Sequence, residues 1–395
     1  MYNQEMYRLG SKRSNIREIF EYAKRRSAEI GAENVFDFSI GNPSVPSPPA
    51  VEQAVRRIIS ETPSVALHGY TSAQGDKRVR DTIAQNYARR FGVPLTGDEI
   101  YMTCGAAASL TISLKALVNE GDEILVFAPY FPEYAVFAAT AGAKLVVVPS
   151  AENMQPNFQA LERALNAKVK GVLINSPNNP SGAVYGKNTM RKLAEILSRK
   201  SEEHQKPVYL ISDEPYRELV YGENTEASSA MQYYQDTLVC YSYSKSLSLA
   251  GERIGYIAVH PNAQNAQEVY AAICGAGRAL GFVCAPALFQ RVVAECDGLT
   301  ADISVYERNR DLLYHALTAY GFTCIYPDGA FYLFVKSPEP SSKAFCERAK
   351  AYELLFVDGA DFGAEGWVRI AYCVPTERIE KSLSLLKKLA KEYDL

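Results

Sequence analysis

Apolar and polar positions alternate in blocks along most of the chain. Between about residues 50 and 260, compact apolar runs are separated by stretches with helical spacing, of which residues 76–91 form a clear amphipathic example. The predicted strands are 123–128, 144–149, 171–175, 208–213, 238–242 and 256–259. Near-continuous apolar strands that alternate with helices are typical of a mainly parallel sheet covered on both faces. The pattern therefore predicts an α/β fold with a three-layer αβα large domain.

After about residue 285 the pattern changes. Helical spacing over 287–318, 342–352 and 376–393 surrounds short strands at 330–335 and 367–371, which indicates a smaller α+β domain. Near the other end, a helix over 15–31 leads into a short strand over 35–40. We predict a large domain over residues 45–285 and a small domain built from both chain ends, 1–44 and 286–395.

Composition and charge exclude several classes of protein. The 395 residues are 47% hydrophobic, and the formal net charge of −3 offers no basic surplus for nucleic acid or an anionic membrane. No stretch of eighteen apolar residues predicts a membrane span, and the polar N-terminus is unlike a signal peptide. The eight cysteines are scattered and the four histidines have no metal-ligand spacing. We therefore expect a cytoplasmic protein without a metal.

The densest cluster of reactive residue types follows the predicted strand 238–242. Lys245 stands among hydroxyls in Ser242-Tyr-Ser-Lys-Ser, and Arg253 follows in a Gly-Glu-Arg-Ile-Gly turn. A lysine that is partly removed from water is a better nucleophile at neutral pH. Arg253, Ser242 and Ser244 could together hold a phosphate. Taken alone, the segment is explained better by a solvated loop lysine beside a surface arginine.

Polar residues also end two neighbouring predicted strands. Asp213 ends the strand 208–213, and Tyr216 lies three residues further on. A strand-end aspartate is usually a helix cap, but in an apolar setting it can also keep a pyridine nitrogen protonated. Asn179 lies in the proline-rich turn after the strand 171–175, from which its amide could reach the same ligand.

Three further residues or segments could contact a ligand. Small residues from Gly105 to Ser109 join a strand to a helix, so backbone N–H groups there could approach an anion. Phe131 lies beside a strand end and could stack on a ring. Arg369 is a charge within an apolar strand, so it requires a partner, which is either an internal carboxylate or that of a ligand.

The order of these motifs resembles that of the class I/II aminotransferases of pyridoxal-phosphate fold type I. The motifs are G-N-P, G-Y, C-G-A-A-A-S, N-N-P-S-G, S-D-E-P-Y, S-Y-S-K, G-E-R-I-G and W-V-R-I-A, and they extend from Gly41 to Arg369. The resemblance implies that Lys245 holds pyridoxal 5'-phosphate as a Schiff base and carries the proton during catalysis. It implies that Asp213 pairs with the ring nitrogen, that Asn179 and Tyr216 bind the phenolic oxygen, and that Phe131 stacks on the ring. The phosphate would be held by Gly105, Ala106, Ala107, Ser242, Ser244 and Arg253.

The same resemblance implies a reaction and its partners. The chain would move an amino group between an α-amino acid and a 2-oxo acid, with Arg369, Gly41 and Asn179 binding the α-carboxylate and Phe331 lining the substrate pocket. Tyr70 would reach the phosphate of a neighbouring subunit, which implies a homodimer with shared active sites. A carbon–sulfur β-lyase on the same scaffold is an alternative. A non-catalytic sensor is a weaker one, because only about forty residues precede Gly41.

The substrate side chain stays open at this point. Some aspartate-selective relatives carry a lysine where this chain has Ala107, and Arg278 is a candidate for a second carboxylate-binding arginine. Tyr130, Tyr134 and Tyr332 could instead form a pocket that tolerates aromatic side chains. The absence of the lysine disfavours an acidic substrate.

Overall fold

The computed structural model describes residues 2–11, 15–222 and 225–395. The following α-helices occur in this part of the chain: α1 (Gln4–Ser11), α2 (Asn15–Ile30), α3 (Pro49–Glu61), α4 (Ser64–His68), α5 (Lys77–Phe91), α6 (Ala106–Leu117), α7 (Glu133–Ala141), α8 (Phe158–Ala164), α9 (Lys187–His204), α10 (Tyr243–Ser246), α11 (Ala266–Leu280), α12 (Ala287–Cys296), α13 (Ser304–Ala319), α14 (Ser342–Lys350) and α15 (Thr376–Lys391). None of these helices is long and apolar enough to cross a membrane.

The strands are β1 (Phe36–Asp37), β2 (Ile100–Thr103), β3 (Glu123–Ala128), β4 (Lys144–Pro149), β5 (Val169–Asn175), β6 (Tyr209–Asp213), β7 (Thr237–Ser242), β8 (Gly255–Val259), β9 (Cys324–Ile325), β10 (Tyr332–Lys336), β11 (Leu354–Leu355), β12 (Val357–Asp358) and β13 (Trp367–Ala371). Seven of them form one sheet in the order β2-β8-β7-β6-β5-β3-β4. Only β8 runs against its neighbours. The predicted mainly parallel αβα sheet is confirmed.

Helices cover both faces of this sheet. On one face α3, α5 and α12 pack over residues of β2, β7 and β8, and on the other α6, α7 and α11 pack over the same central strands. Strands buried on both faces need apolar side chains at nearly every position, which explains their unbroken apolar sequences. The carboxyl ends of β5, β6 and β7 consequently meet at one edge, which is where open α/β sheets bind ligands.

The remaining strands form the smaller α+β part. Strands β12, β13, β10 and β9 make an antiparallel sheet, and β1 pairs in parallel with β11, so the two ends of the chain are joined by backbone hydrogen bonds. The division at residues 45 and 285 stays a prediction. Helix α12 packs against α3 and α5 beneath the large sheet, which favours a boundary after Cys296.

One predicted helix was wrong. Residues 287–318 form two helices, α12 and α13, and not a single one. Gly298 follows α12 with a φ of 89°, a left-handed conformation that favours glycine and cannot continue a helix. The Asp302 side chain then accepts a hydrogen bond from the Ser304 N–H at 3.1 Å, at the residue where the second helix begins.

Candidate active site

The ends of β5, β6 and β7 border a cavity of about 330 Å³ that is closed from the opposite side by residues of β13 and of the segment after β1. Asn175 and Asp213 lie directly opposite each other in the ladder between β5 and β6, and Ser242 ends β7. The cavity therefore receives its polar groups from adjacent parallel strands, each within a few residues of its carboxyl end. Most of the residues predicted from the sequence line it.

Lys245 lies in the single turn of α10, directly after β7. The Ser242 hydroxyl caps this turn by accepting from the Ser244 N–H at 3.2 Å, which fixes the direction in which the lysine leaves the sheet. The Lys245 Nζ atom donates to the Gly41 carbonyl at 2.6 Å. Burial lowers the pKa of Lys245 to about 8, so a substantial fraction of the amine is neutral near physiological pH. A neutral amine in a cavity is a nucleophile.

Asp213 is a buried carboxylate with one occupied and one open oxygen. Its Oδ2 atom accepts a hydrogen bond from the Tyr134 hydroxyl at 2.5 Å, whereas Oδ1 has no partner among the described residues. Burial raises the pKa of Asp213 to about 7; the hydrogen bond from Tyr134 opposes this rise and the neighbouring charge of Glu214 adds to it. A buried oxygen without a donor indicates a ligand that supplies one.

An anion site lies at the start of α6. Gly105 precedes this helix with a φ of 92°, and a Cβ atom there would lie 2.7 Å from an Arg253 guanidinium nitrogen, so glycine is required on both counts. The Arg253 guanidinium donates to the Ser244 hydroxyl at 3.3 Å, and the Ser242 and Ser244 hydroxyls lie 2.7 Å apart. Hydroxyls, a guanidinium and the free N–H groups of a helix start suit a phosphate.

Arg369 projects from β13 into the opposite side of the cavity and is 2% exposed. Its guanidinium donates to Asn179 Oδ1 at 2.9 Å and to the Ser39 carbonyl, while its Nε atom has no partner within residues 2–11, 15–222 and 225–395. No carboxylate in the described part of the chain pairs with it. Of the two kinds of partner that the sequence left open, the internal carboxylate is therefore not present, which leaves that of a ligand.

Six of the other predicted residues line the cavity, whereas Phe331 does not. Gly41, Ala106, Ala107, Phe131, Asn179 and Tyr216 all border the cavity. Phe331 does not, because its side chain is fully buried against the ring of Tyr216, with the ring centres 5.4 Å apart. The next residue, Tyr332, which the sequence also offered for the pocket, lines the cavity, and its hydroxyl lies 2.7 Å from that of Tyr216.

Four residues considered for substrate specificity or subunit contacts lie elsewhere. Tyr134 is buried beneath the cavity as the partner of Asp213, so the expectation that it lines a substrate pocket was wrong. Tyr130 also lies outside the cavity lining. Tyr70, which is 98% exposed, and Arg278 on α11 are likewise outside it. Their roles toward a second subunit stay predictions.

Sequence reasoning missed a group of apolar lining residues. Ile16 at the start of α2, Ile40, Leu110, Pro215 and Ala250 complete the wall. Pro215 and Ala250 lie within a few residues of motifs that the sequence did reveal. Ile16 carries no such signal, because it reaches the site only through the packing of the N-terminal helix.

The donor set suits pyridoxal phosphate, the group that the sequence motifs imply. A buried nucleophilic amine, a cationic and hydroxyl-rich anion site, and a carboxylate with one open oxygen all face the same cavity. These are the partners that an aldehyde, a phosphate and a protonated pyridine nitrogen require. The residues fit the group. No cluster of metal-binding side chains is found among the described residues.

Comparisons with known proteins agree with this chemistry. Residues 33–386 match the family described as Aminotransferase class I and II. A crystal structure of an aminotransferase from Eubacterium rectale is 53% identical, covers 100% of both chains and superposes with a TM-score of 0.97. An aspartate/prephenate aminotransferase of Thermus thermophilus is 30% identical over 87% of this chain and 88% of its own. An aromatic-amino-acid aminotransferase of Thermococcus litoralis is 28% identical over 97% of each chain. The chain therefore belongs to the class I and II aminotransferases, and it is a pyridoxal-phosphate-dependent enzyme of that family.

Proposed function

We propose that this enzyme moves the amino group of an α-amino acid with an uncharged side chain to a 2-oxo acid, with Lys245 as the residue that binds the cofactor and carries the proton. The observation on which this rests is the convergence of three incompletely paired buried groups on one cavity. These are the Lys245 amine, the open oxygen of Asp213 and the open Nε of Arg369. Each group matches a different part of the reaction.

The roles follow from what each side chain can donate or accept. When bound, pyridoxal phosphate supplies an electron sink for the bond that breaks at the substrate Cα atom. Asp213 holds the proton on the ring nitrogen, and the Lys245 amine removes and returns the proton at Cα. Asn179 and Tyr216 hold the phenolic oxygen, Phe131 packs against the ring, and the start of α6 with Arg253, Ser242 and Ser244 holds the phosphate.

Arg369 selects for a free α-carboxylate. Its planar guanidinium is already oriented by Asn179 and by the Ser39 carbonyl, so binding a carboxylate costs little conformational entropy. Gly41 is required beside it, because a Cβ atom there would lie 2.0 Å from the Tyr332 hydroxyl. The substrate is thus held between β13 and the segment after β1.

The rest of the wall supports an uncharged substrate side chain. Its lining away from the polar strand ends is apolar, with Ile16, Ile40 and Leu110, and is extended by the rings of Phe131 and Tyr332. Apart from Lys245, Arg253 and Arg369, no cation of the described residues lines the cavity. Relatives are named for aspartate and for aromatic amino acids. This wall favours a substrate with an aromatic side chain over one with an acidic side chain.

We also propose a cytoplasmic homodimer with shared active sites. Tyr70 has an aromatic ring that is almost fully exposed, as expected for a side chain that is covered by a second subunit. The eight cysteines are unpaired, which is usual in a reducing compartment. Sedimentation tests the dimer. Mixing inactive Lys245→Ala and Tyr70→Ala chains should restore part of the activity if sites are shared, because one site of each hybrid is then intact.

A single-turnover experiment tests the reaction. Mixed with an amino acid alone, the holoenzyme should lose its visible cofactor band and release one equivalent of 2-oxo acid without ammonia. Lys245→Ala should lose both the band and the turnover, whereas Lys144→Ala, which changes an exposed lysine on β4, should retain them. Stoichiometric ammonia would instead identify a lyase. A panel of amino acids should bleach the band most readily for aromatic and large apolar side chains.

A further inference from the structure

Asp213 is held from below by a residue that lies outside the sequence motifs quoted above for the resemblance. Tyr134 lies in the first turn of α7, 79 residues before Asp213, and its side chain is buried. The distance of 2.5 Å between the Tyr134 hydroxyl and Asp213 Oδ2 is that of a strong hydrogen bond to a carboxylate. Burial raises the pKa of Tyr134 well above its ordinary value, so the phenol keeps its proton and acts as the donor.

This hydrogen bond occupies one Asp213 oxygen and leaves the other unpaired. Tyr134 is outside the cavity lining, whereas Asp213 is part of it. Oδ1 has no partner in the described part of the chain, and the Asn175 amide donates to the backbone carbonyl of Asp213 and not to its carboxylate. Tyr134 is thus the hydrogen-bond donor that fixes the rotation of the carboxylate in the protein alone.

We propose that Tyr134 is a positioning residue for the cofactor: it holds Oδ2 of Asp213, presents Oδ1 to the ring nitrogen and keeps the carboxylate ionised. The inference rests on the proposed role of Asp213. It extends that role to a residue that touches neither cofactor nor substrate.

The surroundings of the carboxylate explain why such a donor is needed. The groups that face Asp213 come from α7, from the neighbouring strands, from the following turn and from the cavity; they are Tyr134, Asn175, Cys240, Glu214, Tyr216 and Lys245. Burial and the negative charge of Glu214 both favour the protonated acid, and the hydrogen bond from Tyr134 opposes them. A neutral acid could not stabilise a positive ring nitrogen.

Removal of the hydroxyl is the direct test. Tyr134→Phe keeps the ring and the packing. Tyr209→Phe is the matched control, because Tyr209 is also a buried tyrosine but is the first residue of β6, at the opposite end of the strand from Asp213. The dissociation constant of pyridoxal phosphate should rise roughly tenfold or more in Tyr134→Phe, as expected for a lost hydrogen bond to a charged group. It should stay unchanged in Tyr209→Phe.

A spectral titration supplies a second measurement. A positive ring nitrogen disfavours a second positive charge on the nitrogen that joins the cofactor to Lys245. When Asp213 holds the ring proton less well, the visible band of the holoenzyme should persist to higher pH, by about half a unit or more in Tyr134→Phe. If the pH at which half of the visible band is lost were unchanged or lower in Tyr134→Phe than in the wild type, the proposal would be overturned. The same conclusion would follow if Tyr134→Phe lost only thermal stability.

Asp213→Ala distinguishes this inference from the proposed function. If Asp213→Ala weakens cofactor binding while Tyr134→Phe behaves like Tyr209→Phe, Tyr134 is only a packing residue and the proposed site stands. If Asp213→Ala also retains full cofactor affinity, the assignment of Asp213 itself is wrong. Weaker binding in both Asp213→Ala and Tyr134→Phe, with the raised midpoint, is the expected result.

Discussion

Asp213 and Glu214 are neighbouring buried carboxylates with opposite surroundings. Asp213 faces the cavity with one oxygen unpaired, whereas Glu214 faces a closed polar cluster in which both oxygens are occupied. Glu214 Oε1 accepts from the Ser212 and Ser229 hydroxyls, each at 2.9 Å, and from the Ala230 N–H at 3.0 Å. A buried carboxylate with all its hydrogen bonds made contributes to folding, whereas one with an open oxygen is prepared for a ligand.

Arg217 lies at the centre of the closed cluster. It is 1% exposed, donates to Glu214 at 3.2 Å, to Glu218 at 3.1 Å and to the Tyr256 hydroxyl at 3.1 Å, and stacks over the ring of Tyr241. In the cavity, by contrast, the buried guanidinium of Arg369 keeps one nitrogen unpaired. The difference between the two clusters is that the charged groups facing the cavity keep an unpaired atom among the described residues, whereas those of the closed cluster pair with one another.

Breaking the closed cluster should give the largest effect. Arg217→Met leaves Glu214 and Glu218 buried with fewer partners, and we expect it to lower the free energy of unfolding by about 3–5 kcal/mol. Urea denaturation of the cofactor-free protein measures this change. Arg199→Met is the control, since Arg199 forms an exposed pair with Glu162 and should lower the free energy of unfolding by less than about 1 kcal/mol.

Asp213 should make the free energy of unfolding of the cofactor-free protein fall as the pH rises, whereas an ion-paired carboxylate makes it increase. Its folded pKa of about 7 lies above the ordinary value, so the folded state binds the proton more tightly and stability is lost as the pH rises toward 7. Between pH 5 and pH 8 the free energy of unfolding should fall by roughly 3 kcal/mol more in the wild type than in Asp213→Asn. Equal pH profiles for the two proteins would refute the assignment.

A conservative substitution of Arg369, the guanidinium with an unpaired nitrogen in the cavity, should lower the activity. Lysine in place of Arg369 keeps the charge but cannot contact Asn179, Ser39 and a substrate carboxylate together, so kcat/KM should fall roughly 30- to 100-fold. Steady-state kinetics with a preferred amino acid measure it. Arg348→Lys, on exposed α14, should leave kcat/KM unchanged.

A smaller effect concerns the amine itself. Because burial lowers the pKa of Lys245 to about 8, the neutral fraction that can react with added pyridoxal phosphate should fall about tenfold for each pH unit below 8. Stopped-flow reconstitution of the cofactor-free protein measures this rate. The rate should level off above pH 8, and a rate that still rises about tenfold per pH unit between pH 8 and 10, as for an amine of ordinary pKa, would show that the amine is not buried as described.

The parts of the site that lie close to a strand in sequence could be predicted from the sequence. Asp213 is the last residue of β6, and Lys245 and Asn179 follow β7 and β5 by three and four residues, so the sheet itself determines where they meet. The apolar pattern likewise predicts the bounds of β3, because a strand buried on both faces has few polar positions. The bounds of β4 also match, although β4 is an edge strand and most of its residues are partly or fully exposed.

The parts that depend on contacts between distant segments could not be predicted. Tyr134 meets Asp213 across 79 residues, and Ile16 reaches the cavity from a helix at the other end of the chain. Phe331 and Tyr332 were both expected in the pocket, but adjacent residues of a strand leave the chain in different directions, so only Tyr332 lines the cavity, and the pattern alone does not say which one faces it. Glycine at 298 ended a helix whose apolar spacing continued on both sides.

The most direct test of the account compares Asp213→Asn with Glu214→Gln in the cofactor-free protein at pH 8, by measurement of the free energy of unfolding and then of cofactor affinity. Asp213→Asn should keep or raise the stability, because it removes a buried charge without a counter-ion, and should weaken pyridoxal phosphate binding at least about 100-fold. Glu214→Gln should lower the stability by about 1–3 kcal/mol and leave cofactor affinity nearly unchanged. If the two variants changed both quantities alike, the division between a closed structural cluster and an open ligand site would be contradicted.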